Sequence, residues 1–327
     1  MGRVEASTAA PAFASTFEAH RVELTAYCYR MLGSVEAEDA VQETFIRAWR
    51  AVDRFEGRSA LRSWLYRIAT NVCLDMLEGR KRRARPMDLG PAGEPEAANL
   101  RELPETTWLQ PMPDSAVVPE DGDPAEVTAA RETVRLAFVA ALQHLPPRQR
   151  AVLILCEVLR WKASEVAELL ETSVASVNSA LQRARATLEA SDATTGRMPS
   201  VDAADRELLA RYVEAFERYD IEALTSLIRE DATQSMPPYD LWLEGREDIF
   251  AWWWGPGIGC KGSRVVPTVA ANGAPAFGQY KPSEDGGYEP WALQVLEIED
   301  GRIVELTFFL ETDVVFSRFG LPPHLDP

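Results

Sequence analysis

LPPRQRAVLILCEVLRWKASEVAELLETSVASVNSALQRARATL, residues 145–188, decides how this chain is read. Two helical patterns flank the break Glu171-Thr172-Ser173. In the first, Ala163, Val166, Ala167 and Leu170 recur at the i, i+3, i+4, i+7 spacing that lines one face of a helix with apolar side chains. Val177, Leu181, Ala184 and Leu188 repeat that spacing in the second. Ser173 stands where a hydroxyl accepts a bond from the unpaired amides that open a helix. The register turns Ala175, Ser176, Asn178, Ser179, Gln182 and Arg183 outward. Short polar side chains with a basic end let a helix approach the major groove, where amides and guanidinium groups reach base edges and phosphates. A DNA-binding helix-turn-helix fits the pattern, as does an ordinary helical hairpin, and periodicity alone leaves both open.

Charge speaks for DNA only when taken by segment. The 327-residue chain carries a formal net charge of −17, a poor electrostatic match to phosphate if evenly spread. From Thr44 to Arg85 there are 11 Lys or Arg against 4 Asp or Glu, and Arg80, Lys81, Arg82, Arg83 and Arg85 crowd together at its end. Pro86 to Ala130 reverses the balance, with 1 cation against 10 acids, and Val201 to the end has 10 against 23. The basic segment is a footprint for phosphate contact; the acidic parts would repel DNA unless held away from it.

The length fits two or three domains. No apolar run approaches the roughly 20 residues of a membrane helix, and the start, MGRVEASTAAPAFAST, lacks the order of a secretory signal. The expectation is a cytoplasmic protein with no membrane partner. Cys28, Cys73, Cys156 and Cys260 are scattered and His20, His144 and His324 stand apart from them, so neither a metal site nor a cofactor is expected.

Residues 36–83, EAEDAVQETFIRAWRAVDRFEGRSALRSWLYRIATNVCLDMLEGRKRR, closely resemble the core-binding and promoter-melting region 2 of bacterial sigma-70 family factors, particularly the extracytoplasmic-function (ECF) group. Residues 145–188 resemble region 4 of the same group, and the two occur in the family's order. The implied architecture is multi-domain. Residues 1–86 form an all-α region 2, 87–126 an acidic proline-rich linker, 127–195 the region 4 helix-turn-helix, and 202–327 a C-terminal α+β domain.

Within region 2, Val41, Phe45, Ala48 and Val52 make an apolar stripe, leaving Asp39, Gln42, Glu43, Arg47 and Arg50 for an exposed face. The resemblance implies that this face docks on core RNA polymerase at the clamp of the largest subunit, with the flap of the second-largest subunit as a further partner. Ser59 is placed to cap a helix whose core side is Leu61, Leu65, Ile68 and Val72, with Arg58, Arg62, Trp64, Arg67 and Asn71 around its other sides. Promoter opening needs captors for unstacked bases, and cations beside amides suit that task. By resemblance this helix and its preceding loop read the minus-ten element. Arg58, Ser59 and Asn71 are the candidates for base capture, with Arg80, Lys81, Arg82 and Arg83 on the backbone and Arg67 a further minus-ten candidate. Trp64 is assigned to the core.

For the minus-35 element the candidates are Arg148 and Arg150 at the helix entrance, then Ser176, Asn178, Ser179, Gln182, Arg183 and Arg185. Family members often carry Val-Lys-Ser-Arg where this chain has Val177-Asn178-Ser179-Ala180. Two cations are missing, which should weaken salt-dependent binding.

The linker lacks an apolar period and is not expected to fold alone. Its Trp108-Leu109-Gln110-Pro111 looks like the Trp-Leu-x-Pro motif of sigma factors that carry a C-terminal extension, making Trp108, Leu109 and Pro111 regulatory docking candidates. In the extension, helical patterning around Leu208 to Phe216 and from Ala223 to Ile228 precedes strand-like segments Ser263–Ala271, Ala276–Lys281, Trp291–Ile298 and Arg302–Leu310. Asp300-Gly301 marks a hairpin. With YVEAFERYDIEALTSLIREDATQSMPP and LEGREDIFAWW, this part resembles the SnoaL-like family of cone-shaped α+β domains. Asp231, Asp240, Glu244, Trp252, Trp253, Trp254 and Tyr280 are read as polar rim and core aromatics rather than as a catalytic set. The expected function is a non-enzymatic sigma factor controlled by contact of its SnoaL-like domain with the sigma regions or the linker. The alternatives are a helix-turn-helix repressor and a bifunctional protein whose C-terminal domain binds or turns over a small molecule.

Overall fold

A computed structural model describes residues 16–52, 55, 60–120, 123–190, 203–284 and 286–327. The chain divides into two compact units. One combines the described parts of 1–82 and 115–195, the other 83–114 and 196–327.

The first unit is all helical. Helices α1 (Arg21–Leu32), α2 (Ala37–Ala51) and α3 (Leu61–Leu77) pack pairwise around Leu24, Tyr27, Cys28, Met31, Val41, Ala48, Leu65, Tyr66, Ala69 and Cys73. Gly33, at φ 69°, ends α1 in the left-handed conformation that glycine adopts without a Cβ penalty. The core side of α3 is rotated from the sequence expectation. Leu65 and Val72 are buried, but Leu61 and Ile68 are half-buried, and Tyr66, Ala69, Thr70 and Cys73 complete the buried face. The Tyr27 hydroxyl meets Thr70 Oγ1 at 2.8 Å, which lets two polar atoms sit inside this core.

After α4 (Pro124–Glu132) and α5 (Leu136–Gln143), helix α6 (Pro147–Leu153) runs into a π-helical turn, Ile154–Val158. Helices α7 (Ala163–Leu169) and α8 (Val174–Ala190) follow. Val166, Ala167, Val177 and Ala184 are buried, as the 3.6-residue period demands, while Leu170, Leu181 and Leu188 are half-buried. Ser173 Oγ accepts from the Ser176 amide at 3.1 Å, the expected cap.

The second unit builds helices α9 (Ala203–Arg218), α10 (Ile221–Leu227) and α11 (Arg246–Trp254) with one six-stranded sheet. Its strands are β1 (Ile228–Ser235), β2 (Trp242–Glu244), β3 (Arg264–Pro267), β4 (Ala276–Pro282), β5 (Tyr288–Glu299) and β6 (Arg302–Phe309). Their order is β2-β1-β6-β5-β4-β3, with only β1 and β6 parallel. Register shifts at Gln279/Tyr280 and Glu297/Ile298 add the local twist that curls a sheet. The expected hairpin closes β5 to β6 through Asp300 (φ 49°) and Gly301 (φ 69°). Strands β1 and β2 were not expected: the run of charged residues Arg229, Glu230 and Asp231, the last two exposed, hides the alternation of β1.

Residues 83–114 do not stand alone. They lie against the C-terminal sheet domain through paired backbone bonds, Asp240 N to the Arg101 carbonyl (3.0 Å) and Leu103 N to the Pro238 carbonyl (3.0 Å). Arg101 Nε also donates to Asp240 Oδ2 at 2.8 Å. Further along, Met112 N meets Asn272 Oδ1 at 2.9 Å and Asn272 N returns 3.0 Å to the Met112 carbonyl. The break at Arg82/Arg83 lies inside the segment expected to belong to region 2, so Arg83 to Pro86 join the linker and the C-terminal domain. Residues from Ser115 onward return to the first unit.

Candidate nucleic-acid interface and linker dock

Helix α8 presents Ala175, Ser176, Asn178, Ser179, Gln182, Arg183 and Arg185 to solvent, one continuous small polar face with a basic end. Arg183 Nη1 donates to Ser179 Oγ at 2.6 Å, and Arg185 pairs with Glu157, so both cations are held near that face. Arg148, in the first turn of α6, is exposed as a phosphate contact requires.

Arg150 is a correction. Its side chain is 3% exposed and donates to the Met31 carbonyl, to Gln143 Oε1 (2.6 Å) and to the carbonyls of Gln143 (3.2 Å) and Leu145 (3.1 Å). Burial lowers its pKa to about 10, which leaves it charged at neutral pH. It is the cation that ties region 4 to the end of α1, and in this arrangement no phosphate reaches it.

Other contacts join the same two regions. Arg30 donates to the Thr133 carbonyl (3.1 Å) and Thr133 Oγ1 (2.6 Å). The Arg62 guanidinium lies over the rings of both Tyr66 and Trp161. Of the minus-ten candidates, Arg67 approaches Glu168, Arg82 meets His144 Nδ1 at 2.6 Å, and Arg80 is paired with Glu36 at 2.7 Å. Asn71 and Lys81 are exposed. Trp64 is half-buried and meets Phe55 in a tilted ring contact, with centroids 4.9 Å apart. Arg58 and Ser59 lie outside the described residues.

Arg83 is the second correction. It is 8% exposed, and its Nη1 donates to the carbonyls of Trp108 (2.7 Å) and Glu105 (3.1 Å). A guanidinium spent on linker carbonyls is not available to a phosphate. Trp108 and Leu109 are 1% and 2% exposed, and Pro111 is buried beside them, so the docking candidates form a folded element.

On α2, Asp39, Gln42 and Arg50 are exposed and Glu43 and Arg47 half-exposed, the last joined to Glu43 at 2.7 Å and Asp75 at 2.9 Å. Sequence reasoning missed two members of this face. Ile46 and Trp49 are exposed at 37% and 46%, and their spacing from Gln42 is the signal that could have found them. A large aromatic among mixed charges suits a protein partner.

The C-terminal domain and the linker line a partly open cavity of about 230 Å³. Trp252 and Trp253 line it, whereas Trp254, Tyr280, Asp231, Asp240 and Glu244 are not among its walls. Asp231 faces solvent beside Arg229, which holds its carboxyl below the usual range, and Asp240 is engaged by Arg101. The Tyr280 hydroxyl donates to the Pro322 carbonyl on the opposite side of β4. Among the described residues no three His, Cys, Asp or Glu side chains gather as metal ligands, and no helix is long and apolar enough to cross a membrane.

Residues 16–83 match the sigma-70 region 2 family, 135–188 the sigma-70 region 4 family and 209–306 the SnoaL-like domain family. The chain is 44% identical over 329 residues to the ECF RNA polymerase sigma factor SigG of Mycobacterium tuberculosis, covering 99% of this chain and 88% of the relative. The chain belongs to the ECF RNA polymerase sigma factors. Another member of the group, SigJ of Mycobacterium tuberculosis, is 32% identical over 221 residues, covering 67% of this chain and 63% of SigJ. The crystal structure of SigJ superposes with a TM-score of 0.59 at 24% identity, over 94% of this chain and 100% of that one, which shows a shared fold. In this sigma factor, then, the two helical regions and the SnoaL-like domain expected from the sequence are all present.

Proposed function

We propose that this ECF sigma factor docks on the clamp of core RNA polymerase through the α2 face of Asp39, Gln42, Glu43, Ile46, Trp49 and Arg50, with the flap as a further partner of the holoenzyme. It then directs initiation by reading the minus-ten element with the α3 region and the minus-35 element with α8. The observation that carries the reading is the exposed polar face of α8, capped at Ser173, in a chain that also carries region 2 in the family order. Promoter elements centred about 25 base pairs apart are separated by roughly 85 Å at 3.4 Å per pair. Regions joined through Arg150, Arg30 and Trp161 cannot span that distance, so engagement requires those contacts to part.

Regulation is assigned to the linker and SnoaL-like domain, which hold Trp108 and Arg83 together. The role assigned to the cavity is ligand binding; its lining holds no carboxylate or imidazole, and its titratable groups are Tyr219, Tyr239, Cys260 and Lys281. The site of action is the cytoplasm, where polymerase is found. The test is size-exclusion chromatography of the full chain with bacterial core polymerase. Co-migration that is lost in Trp49→Ala supports the reading; promoter binding without co-migration supports a repressor instead.

A further inference from the structure

The cavity of the SnoaL-like domain has a polarity that defines an occupant. Phe216, Trp252, Trp253, Met236, Phe308 and Leu310 supply apolar and aromatic walls. Its volume exceeds the roughly 150 Å³ of an apolar cavity that accepts one benzene ring, so a fused pair of rings or a ring with a substituent fits.

Gln234 and Lys281 bring donors to this space. Gln234 is 1% exposed, and the Trp253 Nε1–H, which can only donate, meets Gln234 Oε1 at 2.7 Å. That bond fixes the amide orientation and leaves the Gln234 NH2 as a donor with no acceptor among the described residues. Lys281 lines the same cavity, its ammonium 3.0 Å from the centre of the Trp291 ring and without a carboxylate partner among the described residues. The remaining amide, Gln279, is already committed. Its Oε1 accepts from Gln294 (2.9 Å), its Nε2 donates to Ser263 (3.1 Å), and Gln294 in turn accepts from Tyr212 (3.0 Å). An unpaired amide donor and an ammonium in an aromatic chamber call for an acceptor-bearing anion with an apolar body.

One wall is not part of the domain's own sequence. Ala97 and Leu100 of the linker line the cavity, and Leu100 packs on the same apolar core as the helices and sheet. The next residue, Arg101, makes the Asp240 pair, and Leu103 makes the Pro238 bond.

We propose that this cavity is a binding site for a ring-bearing monoanion, an aromatic carboxylate in its simplest form, and that its occupancy strengthens the seating of residues 97–103 on the domain. Because linkage is reciprocal, a ligand that touches Leu100 stabilises the docked linker by the same factor by which docking tightens the ligand. The regulatory consequence rests on the function proposed above; the binding site itself does not, and is measured without polymerase.

The experiment titrates the full chain with 2-naphthoate, following tryptophan fluorescence, since Trp252, Trp253 and Trp291 line the cavity. The neutral 2-naphthalenemethanol and the cationic 2-naphthylmethylamine serve as probes of charge. Saturable quenching by the carboxylate, about tenfold weaker in Lys281→Met while the neutral probe binds the variant as it binds the parent, supports the site. No saturation by the carboxylate at millimolar concentration overturns it, as does equal binding of all three probes. Bound 2-naphthoate should slow exchange of the Leu103 amide. Binding without that slowing overturns the coupling to the linker, and Leu100→Ala should weaken 2-naphthoate if the linker wall is real.

Discussion

Trp108→Ala is the sharpest perturbation of the linker dock. Trp108 is 1% exposed, and truncating a fully buried Trp costs about 3–5 kcal/mol through lost transfer energy and the void left behind. The backbone bonds around it survive truncation: Arg83 Nη1 to the Trp108 carbonyl at 2.7 Å, Ala84 N to the Thr107 carbonyl at 2.8 Å and Leu109 N to the Ala84 carbonyl at 3.1 Å. The indole bond to the Leu103 carbonyl is long, at 3.3 Å, and adds little. The loss is therefore one of packing, and the amides of Ala84 and Leu109 report it directly. At about 1.4 kcal/mol per decade, their hydrogen exchange should accelerate by roughly two to three and a half decades. Amides of α7 and α8, in the other unit, are the internal control and should not change. Acceleration below tenfold at Ala84 and Leu109, or equal acceleration in α8, would refute the claim that buried Trp108 holds the linker in its folded form.

Arg148→Ala should weaken promoter binding and reduce the dependence of log K on log salt by about one, with stability unchanged. Arg150→Ala should do the opposite, lowering stability of the helical unit by about 3 kcal/mol by denaturant titration because several buried carbonyls lose a charged donor; a salt-slope change in Arg150→Ala without destabilisation would return it to the DNA surface. Burial raises the Glu311 carboxyl above its usual range, with Glu105, Asp313 and Glu102 adding to the rise and Arg83 opposing it. A raised carboxylate penalises folding above its folded-state pKa and ceases to do so as pH falls to its unfolded value, so Glu311→Gln should raise Tm at pH 7 by an amount that shrinks toward pH 4.5 in melting scans. A chain ending at Gly196 retains residues 83–114 without their sheet. Its promoter-dependent output should differ from that of the full chain by about fivefold or more, the lower end of ordinary coupling energies, measured as transcript yield at equal holoenzyme concentration.

Helix faces were legible where one side meets solvent over several turns. Val177 and Ala184 against Ser176, Asn178 and Gln182 is a pattern that burial alone enforces, and α8 follows it. Arg150 was not legible, because what consumes it is the Met31 carbonyl, 119 residues earlier in the chain. Its sequence neighbourhood is the same as that of the exposed Arg148. Arg82 and Arg83 pose the same problem more sharply: adjacent cations in one basic run belong to different units because the chain passes from one to the other between them. The cavity was invisible for a different reason. Its walls come from the linker, three helical segments and four strands, so no window of sequence contains it. The one local trace was strand alternation, which puts Phe277, Gln279 and Lys281 on one face of β4 and Tyr280 on the other.

Reconstituted transcription with bacterial core polymerase, using the full chain over a pooled promoter library, tests the central claim most directly. The account predicts initiation from a defined promoter class, lost on core polymerase alone and altered at minus-35 positions by Gln182→Ala and Arg183→Ala. Folded protein that neither binds core polymerase nor supports initiation from any promoter would contradict it.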